Sequence, residues 1–172
     1  MNLLRIFSIT FLAVFITVSQ TGRADSEQYG NWNLKYFVSE NKDQFCSLDS
    51  VRSDGGSFSL AVSRYVGLQL IIFADFSGPT IIDKNVGTVR LKFDSIELNY
   101  PGQFLGKLVA VGLGSMPKGT RDAFIRDFRT KSKIYYRGAS VKGYRKKTVS
   151  ASLKGSSRAV DALVACVKKN FG

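Results

Sequence analysis

The stretch TVSASLKGSSRAVDALVACVKKN, residues 148–170, decides the fold, because it joins a strand to the last helix. Val149, Ala151 and Leu153 alternate with polar residues, which predicts a strand. The letters KGSS then offer a turn and a serine that can cap a helix, whose first turn is predicted at Arg158. The apolar residues that follow recur at helical spacing and form one stripe. They are Val160, Leu163, Val164, Val167 and Phe171.

Cys166 lies beside this stripe, near the end of the predicted helix. The chain has two cysteines, and the other one, Cys46, lies in a predicted early strand. Two cysteines cannot form a structural zinc site alone. In an exported protein they predict one disulfide, which would attach the last helix to the early strand. A reactive thiol is the alternative.

The first 24 residues have the pattern of an export signal. A positively charged start precedes the apolar run 6–18, and Gly22 and Ala24 stand where a signal peptidase prefers small residues. The run is shorter than the roughly 20 residues of a membrane-spanning helix. We therefore expect cleavage after Ala24 and a periplasmic or secreted protein, with an uncleaved anchor as the alternative. Residues 25–172 are expected to form a single domain.

Most of this domain has the alternation of strands. The clearest case is GTVRLKFDSIELNYPG, residues 87–102, where the alternation changes phase at Asp94-Ser95. A two-residue turn there predicts a hairpin in which Phe93 faces Ile96 and Lys92 faces Glu97. Further strands are predicted over 32–38, 44–52, 57–65, 67–75, 104–114, 133–137 and 146–154.

One more segment, residues 116–131, has helical spacing. Thr120 can cap this helix, and Ala123, Phe124 and Phe128 fall on one face. The predicted fold is therefore α+β. A mostly antiparallel sheet, either a sandwich or a partial barrel, carries two packed helices, the second at the C-terminus.

Charge is distributed unevenly along the chain. Residues 25–100 have a net charge of −3, whereas residues 101–172 have a net charge of +13. The positive charge concentrates in residues 126–147, here called the basic segment, where cations and tyrosines interleave. This pattern suits a polyanion, because charges follow its backbone and rings offer stacking surfaces. The candidate anion-binding or partner-binding residues are Arg126, Arg129, Lys133, Tyr135, Tyr136, Arg137, Tyr144, Arg145, Lys146 and Lys147.

Catalytic patterns are weak by comparison. The chain has no histidine, which removes the usual general base near neutral pH and the commonest metal ligand. Ser-x-x-Lys occurs at residues 39–42 and 115–118 without its partner motifs, and residues 112–120 have the wrong order for a phosphate loop. Carboxylate pairs occur at residues 75 and 83 and at residues 94 and 97, where turns and surface charge explain them. We expect a protein that is not an enzyme and needs no cofactor or metal.

The order of elements resembles the invasion-associated locus B family of small exported proteins from Gram-negative bacteria. The resemblance lies in Trp32 within YGNWNLKYF, in FCSLDS around Cys46, and above all in SASLKGSSRAVDAL near the C-terminus. Family members usually have a further cysteine after the tryptophan and others in mid-chain, and they lack the cysteine of VACVKKN. The resemblance implies an envelope or secreted location, a β-rich fold and a role at a host interface. It supplies no catalytic residues.

These observations predict an exported bacterial protein that binds an anionic or host partner through a basic face and assists colonisation or virulence. The anionic partner could be lipopolysaccharide, a glycan or membrane head groups, whereas specific recognition of nucleic acid does not fit an exported protein. The alternative is a secreted inhibitor of a host hydrolase, such as a lysozyme or a protease. A hydrolase with a carboxylate pair is a third possibility.

Overall fold

The structure is a computed structural model, and it describes residues 26–51, 56–74, 85–105, 108–139 and 148–172. These residues form one antiparallel sheet of ten strands and two α-helices. The strands are β1 (Ser26–Tyr29), β2 (Trp32–Val38), β3 (Gln44–Ser50), β4 (Gly56–Ser63), β5 (Gly67–Ala74), β6 (Asn85–Phe93), β7 (Ile96–Leu105), β8 (Leu108–Val111), β9 (Lys133–Ala139) and β10 (Val149–Ser152). The helices are α1 (Lys118–Thr130) and α2 (Ser156–Phe171). The predicted α+β class is confirmed.

The sheet is a single curled layer, and not two packed sheets. Its order is β1-β2-β3-β4-β5-β8-β7-β6-β9-β10, and no ladder joins β1 to β10 among the described residues. The two ends nevertheless meet, since the backbone N–H of Asn31 donates to the carbonyl of Lys154 at 3.1 Å. The indole Nε1 of Trp32 likewise donates to the carbonyl of Ser152 at 3.1 Å. The sheet therefore has an inner face, which can enclose a core.

Both helices cover this inner face. Phe124 and Phe128 of α1 are fully buried, and Phe124 packs edge-on against Phe93 with ring centroids 5.4 Å apart. From α2, Ala159, Val160 and Leu163 join the same core. The strands contribute their alternate residues to it, so every second side chain of those strands points to the outer face. This alternation fixes which charged residues share a surface.

The predicted hairpin of residues 87–102 is confirmed, with Phe93 opposite Ile96 and Lys92 opposite Glu97. Asp94 adopts φ 48° in its turn, a left-handed conformation that aspartate tolerates better than most residues. Its carboxylate accepts hydrogen bonds from the hydroxyl of Ser132 at 2.6 Å and from the backbone N–H groups of Ser132 and Lys133. These bonds, the hydroxyl's first among them, lower the pKa of Asp94 below its ordinary value. Asp94 thus attaches the hairpin turn to the start of β9.

We expect Asp94→Asn to lower the melting temperature at pH 7 and to weaken its dependence on acid. The folded pKa of Asp94 lies below the unfolded one, so the carboxylate stabilises the fold above about pH 4 and this contribution is lost as the pH falls through the folded pKa. Asparagine keeps the left-handed preference but not the charge. Thermal unfolding from pH 7 to pH 2 measures the effect.

Asp122→Asn is the matched control for this prediction. The pKa of Asp122 is also lowered, chiefly by its hydrogen bond to Lys118, but both side chains are more than half exposed. Exposed pairs of this kind contribute little to stability. If Asp94→Asn and Asp122→Asn had equal effects, the role assigned to Asp94 would be refuted.

Both helices begin earlier than predicted. α1 begins at Lys118 after Pro117, which leaves Thr120 inside the first turn and without a capping role. α2 begins at Ser156, two residues before Arg158, and Gly155 is its N-cap. Ser156 does not cap, because its hydroxyl donates to the carbonyl of Phe128 at 2.6 Å. At Gly155, φ is +87° and an added Cβ would lie 2.4 Å from the carbonyl oxygen of Tyr29, so this position requires glycine.

The predicted disulfide is present. Cys46 and Cys166 are bonded with their Cα atoms 6.1 Å apart, which attaches α2 to β3. A structural disulfide is typical of oxidising compartments and indicates a location outside the cytoplasm. Neither helix of the described chain has the length and apolar character needed to cross a membrane.

Candidate anion-binding surface

Strand β9 carries the described centre of the basic segment, and its side chains alternate between the two faces of the sheet. Ile134 and Tyr136 are fully buried in the core. Lys133, Tyr135 and Arg137 therefore lie on the outer face, where Lys133 is exposed and the other two are half-buried. Two of the three predicted residues on the same face are cations, and Tyr135 lies between them.

Strand β6 adds two cations that lie beside them. Lys92 is directly opposite Tyr135. The register between β6 and β9 then shifts, so that Arg137 and Gly138 together oppose Arg90 in a bulge. We call this set the outer basic strip; it consists of Arg90, Lys92, Lys133, Tyr135 and Arg137.

The negative charge beside the strip lies at one end of it: Asp94, in the turn after β6, accepts from the backbone N–H of Lys133, whereas Arg90 is opposite the neutral Asn99. Among the described outward side chains of β6, β7, β9 and β10, the acidic one is Glu97, which lies opposite Lys92. Arg90 and Arg137 occupy neighbouring positions, and like charges placed so close on a sheet destabilise it. A bound anion would remove this repulsion.

The structure separates Arg126 and Arg129 from the strip. Both lie on α1, which covers the inner face, and they line the rim of an apolar groove between the helices. Arg129 pairs with Asp161 at 2.7 Å, and Arg126 contacts Asp127 at 3.2 Å. Tyr136 belongs to neither surface, because its side chain is buried. The basic segment therefore contributes to two different places.

Four predicted residues lie outside the described residues. They are Tyr144, Arg145, Lys146 and Lys147, which come between β9 and β10 along the chain. By sequence that connection follows directly on Arg137 and the last residues of β9. The strip can be tested without them.

The other motifs have structural roles where they are described. The hydroxyl of Ser39 accepts from the backbone N–H of Asp43 within a turn, and that of Ser115 donates to the carbonyl of Gly112. Lys118 forms an ion pair with Asp122. Both serine hydroxyls thus bond to backbone groups, and Lys42 meets Ser39 through a backbone N–H···O=C bond of 2.9 Å.

The carboxylates give no sign of a paired acid and base. Asp94 is bound to Ser132 and Lys133, as described above. Asp75 and Asp83 lie outside the described residues. Within the described part of the chain, histidine, cysteine, aspartate and glutamate form no group of three or more that could hold a metal ion.

Sequence reasoning missed Arg90 as a neighbour of Arg137. The two residues are 47 positions apart and meet only because β6 pairs with β9, although β7, β8 and α1 separate these strands along the chain. The outward direction of Arg90 was readable from the alternation of Val89 and Leu91. The pairing of β6 with β9 could not be predicted from the sequence.

Comparisons of this chain with protein-family models, with curated proteins and with solved structures find no match. The resemblance to the invasion-associated locus B family therefore stays a prediction. What the fold defines is a class: a disulfide-linked α+β fold in which two helices cover the inner face of one curled antiparallel sheet.

Proposed function

We propose that this protein is exported and works in the bacterial envelope or outside the cell, where it binds an anionic surface through the outer basic strip. The partner would be a polyanion such as an acidic glycan or lipopolysaccharide, and a role at the host interface follows the family resemblance. Binding needs no chemical step and no cofactor.

The single observation that supports the proposal most is the juxtaposition of Arg90 with Arg137 across the β6–β9 bulge. Two guanidinium groups on adjacent strands can both bind one sulfate, phosphate or carboxylate group, since each presents a planar set of donors. Lys92 and Lys133 extend the positive charge, and Tyr135 offers a ring between them.

We expect the triple variant Lys92→Gln, Lys133→Gln, Arg137→Gln to bind heparin about tenfold more weakly than the unchanged protein. Each exposed cation–anion contact is worth about 0.5 kcal/mol, so three together approach the ~1.4 kcal/mol of a tenfold change. Affinity should fall with added salt, and fall less steeply in the variant, because surface charges are screened. Heparin and lipopolysaccharide titrations at low and physiological salt measure this.

The control variant removes three positive charges that lie outside the strip. Arg64, Arg158 and Lys169 are exposed and lie outside the strip, so Arg64→Gln, Arg158→Gln, Lys169→Gln should change binding less than threefold. Equal losses in the two triple variants would show that only net charge matters and would remove the strip as a site. No binding at physiological salt would redirect the search to inhibition of lysozyme or a protease.

A further inference from the structure

An apolar groove of about 740 Å³ lies between α1, α2 and the inner side of β4 and β5. Its floor is formed by Leu60, Val62 and Leu68 of the strands. Its walls are aliphatic residues of the two helices, namely Ile125, Val160, Leu163, Val164 and Val167. The volume is within the roughly 300–1,000 Å³ of sites that bind small molecules.

The sequence explains why this surface is left uncovered. The apolar stripe of α2 is wider than the part of it that the sheet buries. Val160 and Leu163 are at most 4% exposed, but Val164, one residue on, is 45% exposed although it belongs to the same stripe. A concave apolar surface with polar groups at its edge is the usual form of a small-molecule site.

The rim of the groove is positively charged. Four cations line it: Arg121, Arg126, Arg129 and Lys168. The one acidic residue among the lining is Asp122, which pairs with Lys118 outside the groove. Arg129 pairs with Asp161, and Lys168 makes no ion pair with any described residue. Arg126 contacts the carboxylate of Asp127, so the rim keeps an excess of positive charge in which Lys168 is a cation without a described carboxylate partner.

We infer that the groove binds a single unbranched acyl chain that ends in an anionic group, as in a long-chain fatty acid. The acyl chain has no polar atoms, and the aliphatic side chains of the floor and walls have no hydrogen-bonding groups that it would leave unpaired. The carboxylate suits the rim, where guanidinium groups can bind it through two parallel hydrogen bonds. The acyl chain thus matches the aliphatic floor and walls, and the anionic group matches the positively charged rim.

A peptide does not fit the groove as well. An extended peptide would bury N–H and C=O groups against the aliphatic floor, where no side chain can pair with them. A helix satisfies its own backbone, but its diameter is about 10 Å, so a volume of this size accepts only about six residues of it. A second copy of the protein would bring two positively charged rims together.

The first test needs no variant. Saturated fatty acids from eight to fourteen carbons are titrated into the delipidated protein below their micellar concentrations, together with the methyl ester of each. We expect one chain bound per protein and an affinity that rises about fourfold per added methylene until the groove is full. The neutral methyl ester should bind at least tenfold more weakly. Affinity that does not depend on chain length, or several chains per protein, would refute the inference.

Two pairs of sequence neighbours on α2, Val164 with Ala165 and Lys168 with Lys169, test where the fatty acid binds. Val164 and Lys168 line the groove, whereas Ala165 and Lys169 face a separate cavity beside β1 and β2. Val164→Glu should weaken fatty-acid binding at least tenfold and Lys168→Gln about threefold, whereas Ala165→Glu and Lys169→Gln should change it less than twofold. Val164 and Ala165 are both exposed, so neither substitution should unfold the helix. Equal effects within each pair would overturn the assignment.

This inference is independent of the outer basic strip. The triple variant of Lys92, Lys133 and Arg137 should bind fatty acid as the unchanged protein does, since these residues lie on the opposite face of the sheet. In the same way, Val164→Glu should leave heparin binding unchanged within twofold. Each experiment can therefore fail without affecting the other.

Discussion

Replacing both cysteines, as Cys46→Ala with Cys166→Ala, should lower the free energy of unfolding by about 2–5 kcal/mol. The two residues are 120 positions apart, and in the chain-entropy model a loop of that length is worth nominally about 4–5 kcal/mol. The bond is also what attaches the end of α2 to β3, beyond the last large buried side chain of the helix, Leu163. Urea unfolding followed by circular dichroism measures the change.

Alanine is the right replacement because Cys46 is fully buried and Cys166 is 8% exposed. A serine hydroxyl at either position would add the cost of an unpaired polar group and inflate the result. Reduction gives the control: dithiothreitol should destabilise the unchanged protein by a similar amount and leave the alanine variant unaffected. A reductant effect of the same size on both proteins would show that the disulfide is not the cause.

The sequence predicted the elements whose signals are local. The hairpin of residues 87–102 followed from a change of phase in one alternating run, and its register is confirmed residue by residue. The disulfide followed from there being only two cysteines, in a strand and a helix respectively. Strand β1 was missed because it is short, polar and largely exposed, so its sequence lacks alternation. It pairs with β2 across a turn in which Gly30 has φ +62°.

Boundaries depended on contacts that sequence alone does not show. The start of α2 is set by Gly155, which packs against Tyr29 of β1, and by Ser156, whose hydroxyl binds α1. The predicted strand over 104–114 is divided between the end of β7 and β8, which pair with each other. Residues 106–107 between them lie outside the described residues. All of these depend on tertiary neighbours.

The candidate sites depend on tertiary contacts even more than the element boundaries do. The basic segment was identified from composition, yet its residues divide between the outer face of β9 and the groove side of α1. The groove itself brings residues of β4 and β5 against two helices, the first of which begins 44 positions after the end of β5. Its only trace in the sequence is the width of the α2 stripe, which exceeds what one sheet contact can bury. Val164 is the residue that shows this excess.

Trp32→Ala should lower the free energy of unfolding by about 3–5 kcal/mol. Trp32 is fully buried at the place where the two ends of the sheet meet. Its ring packs edge-on against Phe128 of α1 with centroids 4.8 Å apart, and its Nε1–H donates to the carbonyl of Ser152 in β10. One side chain thus joins β2, α1 and β10, so its removal leaves a cavity that none of the three can close alone.

Trp32→Phe separates the contribution of the ring contact with Phe128 from that of the hydrogen bond to the carbonyl of Ser152. Phenylalanine keeps most of the ring contact with Phe128 but leaves the carbonyl of Ser152 without its donor, which should cost about 1–3 kcal/mol. Tyr65→Ala removes an aromatic side chain that is 73% exposed, and it should change stability by no more than about 0.5 kcal/mol. Urea unfolding of the three variants gives the ranking. If Trp32→Ala cost no more than Tyr65→Ala, the two ends of the sheet would not depend on this contact, and the curl of the sheet would have to come from the helices and the Asn31–Lys154 backbone bond.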